Sequence, residues 1–338
     1  MDRIRRQKRR KTGINKMNFN ALITRATDKG NFQTIQGYID FAAQFLDFIE
    51  DNLQARIVSR NEPHYQFLQY KEYAEFQITR PINTRLMLGP EVYQQKTLAF
   101  NAVLETIRSG KVPSNTACGD LNRFIYTLQQ TVGLALDGLP IGRSNRARKL
   151  NGDLFEQLVR LVINQVGIPC VSGTVVLPVQ AGTTADADAD FKMNFQQDLI
   201  VKQGEVVQMI GSVKTSSKDR LAKIFMDKLL FSRLTNTNVP HIAVFLHDVQ
   251  RKGKAPKYGV NATFLPGHFK AFTVKINPLD GVYYFDLRPN MKTDKWLKRH
   301  IRPFDRLICE DIWRFCGARG VRATVREGTA NCGGKDEA

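Results

Sequence analysis

Residues 198–214 read DLIVKQGEVVQMIGSVK. Asp198 opens an apolar run, Lys202-Gln203-Gly204-Glu205 has the composition of a tight turn, and a second apolar run begins at Val206. Two such runs about a short glycine-containing turn predict an antiparallel hairpin. Side chains alternate along a strand, so Ser212 and Lys214 share a face. The hairpin brings the Asp198 carboxylate near the ammonium of Lys214, sixteen residues on. Upstream, GDLFEQLVRLVINQVG (152–167) predicts an amphipathic helix on Leu154, Leu158, Leu161 and Val162, stopped by Gly167. Glu156 lies on that helix between Phe155 and Leu158.

Two acids and a lysine in this order suit phosphodiester hydrolysis. Carboxylates hold Mg²⁺ through hard oxygen ligands. The metal neutralises charge on the phosphate and lowers the pKa of a bound water. A neighbouring lysine orients that water and stabilises developing charge. The bland reading of the same residues is a surface hairpin with an incidental ion pair.

The layout resembles the PD-(D/E)xK nuclease core, a helix with Glu followed by a hairpin with Asp and a terminal acid-x-Lys. Two departures stand out: Gln197 replaces the proline, and Ser212 takes the place of the second acid. The residues after Lys214, KTSSKDRLAKIFMDKLL, answer the second departure. A helix is expected from Ser216 or Ser217, on which Asp227 shares a face with Arg220 about 10 Å away. Asp227 is thirteen residues past Lys214. This arrangement resembles the restriction endonucleases that cut CCGG, CCNGG and CCWGG targets, the EcoRII and NgoMIV type, in which the second metal-binding acid sits on this helix, usually as Glu. The string Lys214-Thr215-Ser216-Ser217-Lys218-Asp219-Arg220 resembles the segment with which those enzymes read C:G pairs. Arg is the usual bidentate partner of guanine, and an acid accepts from cytosine N4. The resemblance covers about 145–250.

The succession of helix- and strand-like runs predicts an α/β fold with a mixed sheet behind a mainly helical N-terminal region, and the resemblance implies that its core is the PD-(D/E)xK one, a mixed sheet flanked by helices. It implies a Type II restriction endonuclease making Mg²⁺-dependent double-strand cuts at a palindromic site with a CCGG- or CCNGG-like core, leaving 5′-phosphates. Asp198, Asp227 and, as an outer ligand, Glu156 would hold the metal, and Lys214 would act on the water. Ser217, Lys218, Asp219 and Arg220 would contact DNA. Asp190 is the rival first acid: it lies in A-D-F, like the family's P-D-F, but 24 residues before Lys214, and the shorter spacing of Asp198 suits a hairpin better. Asp219 is also a capping-box partner for Ser216, and Asp227 an i,i+4 partner for Lys223. Partners implied are double-stranded DNA, a second copy of the chain in a homodimer or a tetramer, and a cognate DNA methyltransferase that protects host DNA. The competing functions are a non-cleaving DNA-binding protein on a nuclease-like core and a repair or junction nuclease of the same fold.

Charge supports a polyanionic partner. Lys and Arg number 50 against 32 Asp and Glu, a net of +18 in 338 residues. Arg3 to Lys11 form a basic arm suited to tracking phosphates. Arg143, Arg146 and Arg148 precede the Glu156 helix, where Arg146 and Arg148 are candidate DNA contacts. A third cluster, Arg288 to Arg306 with Trp296, reads as a solvated helix face.

Composition excludes other classes. Hydrophobic residues at 42% support a packed core. No apolar run reaches the ~18–20 residues of a membrane span. The N-terminus MDRIRRQKRRKTG has no apolar stretch behind it, so a secretory signal is not expected. Five cysteines without a CxxC argue against a disulfide framework or zinc knuckle and for a bacterial cytoplasmic location. The five histidines are scattered, which argues against a zinc hydrolase.

Four segments are expected: a flexible basic arm at 1–17, a mainly helical DNA-binding or dimerisation region at 18–140, the catalytic domain at 141–325, and a disordered tail at 326–338. Helix is expected over 18–60, near 90–109 and over 119–136, and the boundary in DGLPIGRSNRARKLN (137–151). Strands are expected at CVSGTVVLP, DLIV, VVQMIGSVK, HIAVFLHD, FTVKI and VYYFDL, interrupted by the helix DRLAKIFMDKLLFSRLT.

Overall fold

The computed structural model describes residues 18–70, 78–179, 191–218, 220–317, 321–322 and 324–327. The Arg3–Lys11 arm, Asp190 and Asp219 lie outside them.

Helices α1 (Phe19–Thr27) and α2 (Ile35–Asn52) open the chain. Each begins on a side-chain cap, Asn18 and Thr34 respectively. The aromatic stripe of α2, with Tyr38, Phe41, Phe45 and Phe48, is buried. A small antiparallel sheet follows: β1 (Leu53–Val58), β2 (Tyr65–Tyr70) and β3 (Ile82–Asn83). Helix therefore stops at Asn52, short of the expected 60. LQARIV ends in β-branched residues and alternates half-buried with exposed positions, which suits an edge strand.

Helices α3 (Pro90–Arg108) and α4 (Asn115–Leu136) come next. From Leu121 to Leu136, α4 is buried at almost every position, and it is the helix around which the N-terminal region packs. Only 137–140 is non-helical at the expected boundary, because a 3₁₀ turn at Ile141–Arg143 leads straight into α5 (Ser144–Gln165). One hydrophobic cluster runs from Phe19 to Phe315 across that point.

The central sheet comprises β4 (Cys170–Val179), β5 (Phe191–Gln203), β6 (Val206–Ser216), β7 (His241–His247), β10 (Gly281–Tyr284), β11 (Ile301–Pro303), β12 (Val321–Arg322) and β13 (Thr324–Glu327). Its order is β11-β10-β7-β6-β5-β4-β13, with β12 beside β6. β4, β5 and β6 form an antiparallel meander, and β6, β7, β10 and β11 run parallel. The strand at 324–327 pairs with β4 and continues two residues past 325.

Both faces of the sheet are covered. Leu199, Val201, Met209, Val213, Ile242 and Val244 pack with α4 and α5. Ile200, Ile210 and Phe245 pack against the other side, where α6 (Leu221–Thr235) and α7 (Pro266–Lys275) lie. The sheet is therefore mixed and flanked by helices, as expected. Two segments differ from expectation. β6 continues to Ser216, so the next helix starts at Leu221 rather than at Ser216 or Ser217. FTVKI is the end of α7, not a strand: Pro266 occupies the first turn, and Phe269 and Thr273 turn inward at helical spacing while Val274 is exposed. The remaining hairpin, β8 (Val249–Lys252) and β9 (Gly259–Ala262), stands apart from the sheet.

Candidate active site

The hairpin forms as its sequence dictates. Leu199 pairs with Gly211 and Ile200 with Ile210, and Gly204 turns the chain at φ +59°, a conformation glycine adopts without steric cost. Asp198 lies just beyond the last β5–β6 pair, where the ladder stops. Its Oδ2 takes over as acceptor and receives the Val213 N–H at 2.8 Å. Lys214, one residue further, donates its Nζ to the same oxygen at 2.5 Å.

The other side of the ammonium is held by α5. Lys214 Nζ donates to Glu156 Oε1 at 2.9 Å. Buried Phe155 and Leu158 seat the helix on the sheet, and Tyr38 Oη donates to Leu154 O at 2.7 Å beneath it. The three residues singled out from the sequence for acid and lysine roles on this helix and hairpin therefore meet, although 58 residues separate Glu156 from Lys214.

The electrostatics follow from two carboxylates flanking one cation in a half-buried place. For Lys214, burial pulls the pKa down, but the charges and hydrogen bonds of Asp198 and Glu156 outweigh it, and the net shift is upward. Lys214 is an ammonium. For Glu156, burial and the Asp198 charge raise the pKa against the pull of Lys214, and the net shift is again upward. The site thus carries more negative charge than one ammonium compensates. That surplus, on hard oxygen donors, fits a divalent cation such as Mg²⁺, which takes one or two carboxylates plus waters and phosphate oxygens. Asp198 and Glu156 are the residues that would hold it.

Asp227 is paired on its own helix. Its Oδ2 accepts from Lys223 Nζ at 2.6 Å, the i,i+4 pair on α6. Among the described residues no group of three or more His, Cys, Asp or Glu side chains stands together to hold a metal ion. Arg160 is a residue the sequence reading missed: its Nη1 donates to Asp198 O at 3.3 Å. The signal was its position four residues after Glu156, on the same helix face.

Beyond Lys214 the chain splits in role. Ser217 is buried, its hydroxyl 3.4 Å from Thr263 Oγ1, so it braces the loop. Lys218 and Arg220 are exposed, and Arg220 is the residue immediately before α6. Arg146 and Arg148 are exposed in the first turns of α5, where Arg148 Nη2 donates to Asn145 Oδ1 at 2.8 Å. The 288–306 cluster is not one solvated face. Arg288 is half-buried beside Glu62, Tyr65 and Asp248, and Arg302 donates to Asp311 at 2.7 Å. Lys292, Lys295, Lys298 and Arg299 remain exposed.

No protein-family model matches the sequence, and no curated protein does. Among solved structures, the crystal structure of the Type IIP restriction endonuclease Kpn2I superposes with a TM-score of 0.64 at 16% identity, covering 90% of this chain and 99% of that one. The fold is that of a restriction endonuclease. The restriction endonuclease PspGI in its substrate DNA complex aligns at a TM-score of 0.35 and 11% identity over 66% of this chain and 95% of that one. Asp198 and Lys214 lie on the adjacent inner strands β5 and β6 of this fold, and Glu156 lies on α5 against them. No helix among the described residues is long and apolar enough to cross a membrane.

Proposed function

We propose that the chain is a Type II restriction endonuclease that makes Mg²⁺-dependent double-strand cuts in DNA at a palindromic site with a CCGG- or CCNGG-like core. The observation that carries the reading is Lys214 hydrogen-bonded to both Glu156 and Asp198 at one place. The K-T-S-S-K-D-R string that begins at Lys214 supports the C:G-rich core.

In this reading a Mg²⁺ ion held by Asp198 and Glu156 supplies charge neutralisation at the scissile phosphate. Lys214 stays protonated between its two carboxylates and donates to the attacking water or a phosphate oxygen, which places that water in line with the bond to be broken. Arg160 and the Val213 N–H hold Asp198 in position. Water adds to phosphorus, the bond to the 3′ oxygen breaks, and that oxygen takes a proton, leaving 5′-phosphate and 3′-hydroxyl ends. Arg220, with Lys218, faces the base edges next to the cut, and Arg146 and Arg148 take phosphates. A palindromic target implies a two-fold dimer. A cytoplasmic location and a methyltransferase of matching specificity follow from the need to protect the host's own DNA.

The test is digestion of one plasmid of known sequence with and without Mg²⁺, followed by mapping of the fragment ends. Discrete ends at one repeated palindrome bearing 5′-phosphates are expected. Binding without cutting favours a DNA-binding protein on a nuclease-like core, and cutting without sequence preference favours a repair or junction nuclease.

A further inference from the structure

Residues 249–262, VQRKGKAPKYGVNA, build the β8–β9 ribbon. Val249 lies opposite Ala262, Gln250 opposite Asn261, Arg251 opposite Val260 and Lys252 opposite Gly259. Opposed residues share a face. One face therefore carries Val249, Arg251 and Val260, and the other carries Gln250, Lys252 and Asn261.

The first face is fixed. Val249 and Val260 pack with Tyr65, Phe67 and Ile78, and Arg251 Nη1 donates to Ile78 O at 3.3 Å. Asn61 clamps β9: its Nδ2 donates to Val260 O at 2.7 Å, and the Val260 N–H donates to its Oδ1 at 2.9 Å. Gly253 closes the tip at φ +85°, where a Cβ would stand 2.5 Å from Lys257 O. The second face is partly covered at Gly259, where a Cβ would stand 2.7 Å from Asn61 Oδ1, and half-exposed at Asn261, while its β8 side and the tip are open. Gln250, Lys252, Lys254 and Lys257 are exposed, and no acid occurs between 249 and 262.

Place adds to charge. β7 lies beside β6 with Lys214 opposite Phe245 and Ser216 opposite His247, and β8 begins two residues after His247. The hydroxyls of Ser216 and Ser217 each stand 3.4 Å from Thr263 Oγ1, just past β9. The ribbon leaves the sheet at the strand ends where Lys214 lies and is braced to the segment that follows Lys214.

We propose that this ribbon is a DNA-recognition element that lies in the major groove next to the cut. The groove accommodates a two-stranded ribbon, and Gln and Asn amides pair with adenine edges while ammonium groups hold phosphates. Gln250 and Asn261, paired across the strands, read base edges outside the C:G core. Lys252, Lys254 and Lys257 neutralise the flanking phosphates. The inference rests on the nuclease reading and assigns it a second set of specificity residues.

The test uses the full chain with two variants, Lys252→Ala/Lys254→Ala/Lys257→Ala and Gln250→Ala/Asn261→Ala. Binding is measured by fluorescence anisotropy on two duplexes, one with the mapped cleavage site and one of random sequence, over a range of NaCl with Ca²⁺ in place of Mg²⁺. The lysine variant is expected to lose affinity for both duplexes, with the slope of log K against log salt falling by about 0.9 per lysine removed. The amide variant is expected to lose about tenfold or more on the site duplex and to be unchanged on the random one. An unchanged slope in the first variant, or an unchanged site-to-random ratio in the second, overturns the inference. Failure of the nuclease reading shows separately, as absence of cleavage by the unmodified protein. In that case the slope on random duplex still decides whether the ribbon holds DNA.

Discussion

Tyr65, in the small N-terminal sheet, donates its phenol to Asp286 just past strand β10 at 2.7 Å, across 221 residues of sequence. Asn83 gives the other oxygen of Asp286 a bond of 2.8 Å, and Arg288 stacks over the Tyr65 ring. The N-terminal region is thus bonded to the central sheet through a buried carboxylate. Tyr65→Phe keeps the ring and removes the donor. It is expected to destabilise the fold by about 1–3 kcal/mol, the cost of a buried acceptor left short of a partner. Chemical denaturation reads this directly, and an unchanged midpoint would mean the bond contributes nothing.

Lys214→Ala is expected to reduce cleavage by at least about 100-fold, because the charged donor at the reacting phosphate is gone. Binding to the cognate duplex is expected to persist. Single-turnover cleavage with an anisotropy titration separates the two. Cutting within tenfold of the unmodified protein would remove the hairpin from the active site.

Asp198→Asn and Asp190→Asn form a pair. Asp198 touches Lys214, so its variant is expected to lose activity by orders of magnitude while melting normally. A larger loss at Asp190 would move the first acid there.

Arg220→Ala is expected to weaken binding to the cognate site by about 1–3 kcal/mol more than binding to random DNA, as befits a base contact. The measurement is the ratio of the two affinities at one salt concentration. Equal weakening would make Arg220 a phosphate contact.

Asp248 gives a pH prediction. Burial, opposed by Arg288 and assisted by Asp286 and Glu62, pushes its pKa up to about 7 from 3.8. Folded protein then keeps a proton that the unfolded chain has lost, so this group's contribution to stability falls as pH rises from about 4 to about 7. Asp248→Asn removes that fall. Thermal melts should show the variant and the unmodified protein converging at pH 4 and the variant gaining at pH 8. Parallel curves would refute the shift.

What the sequence reveals here is what is local. Asp198, the turn at Gly204 and Lys214 belong to one hairpin with a two-residue period, and Glu156 sits on a helix with a clear apolar stripe. Each can be read without knowing the rest of the chain. Asp227 is a different case: its thirteen-residue spacing from Lys214 is a pattern match rather than a local signal, and the contact the structure gives it is the i,i+4 pair with Lys223. The helix at 266–275 was misread because five residues of alternating character weigh less than a proline in the first turn. The Tyr65–Asp286 and Asn83–Asp286 bonds leave no trace in any window, since their partners are 221 and 203 residues apart.

The single core that joins Phe19 to Phe315 has a consequence for synthesis. α4 is covered partly by Phe304, Leu307, Ile308 and Cys309, which leave the ribosome some 180 residues after it. The acid–lysine hairpin can close as soon as it emerges, whereas the helices beneath Glu156 must wait with apolar surface open. The order of translation therefore delays completion of the packed scaffold until Phe315 has been made.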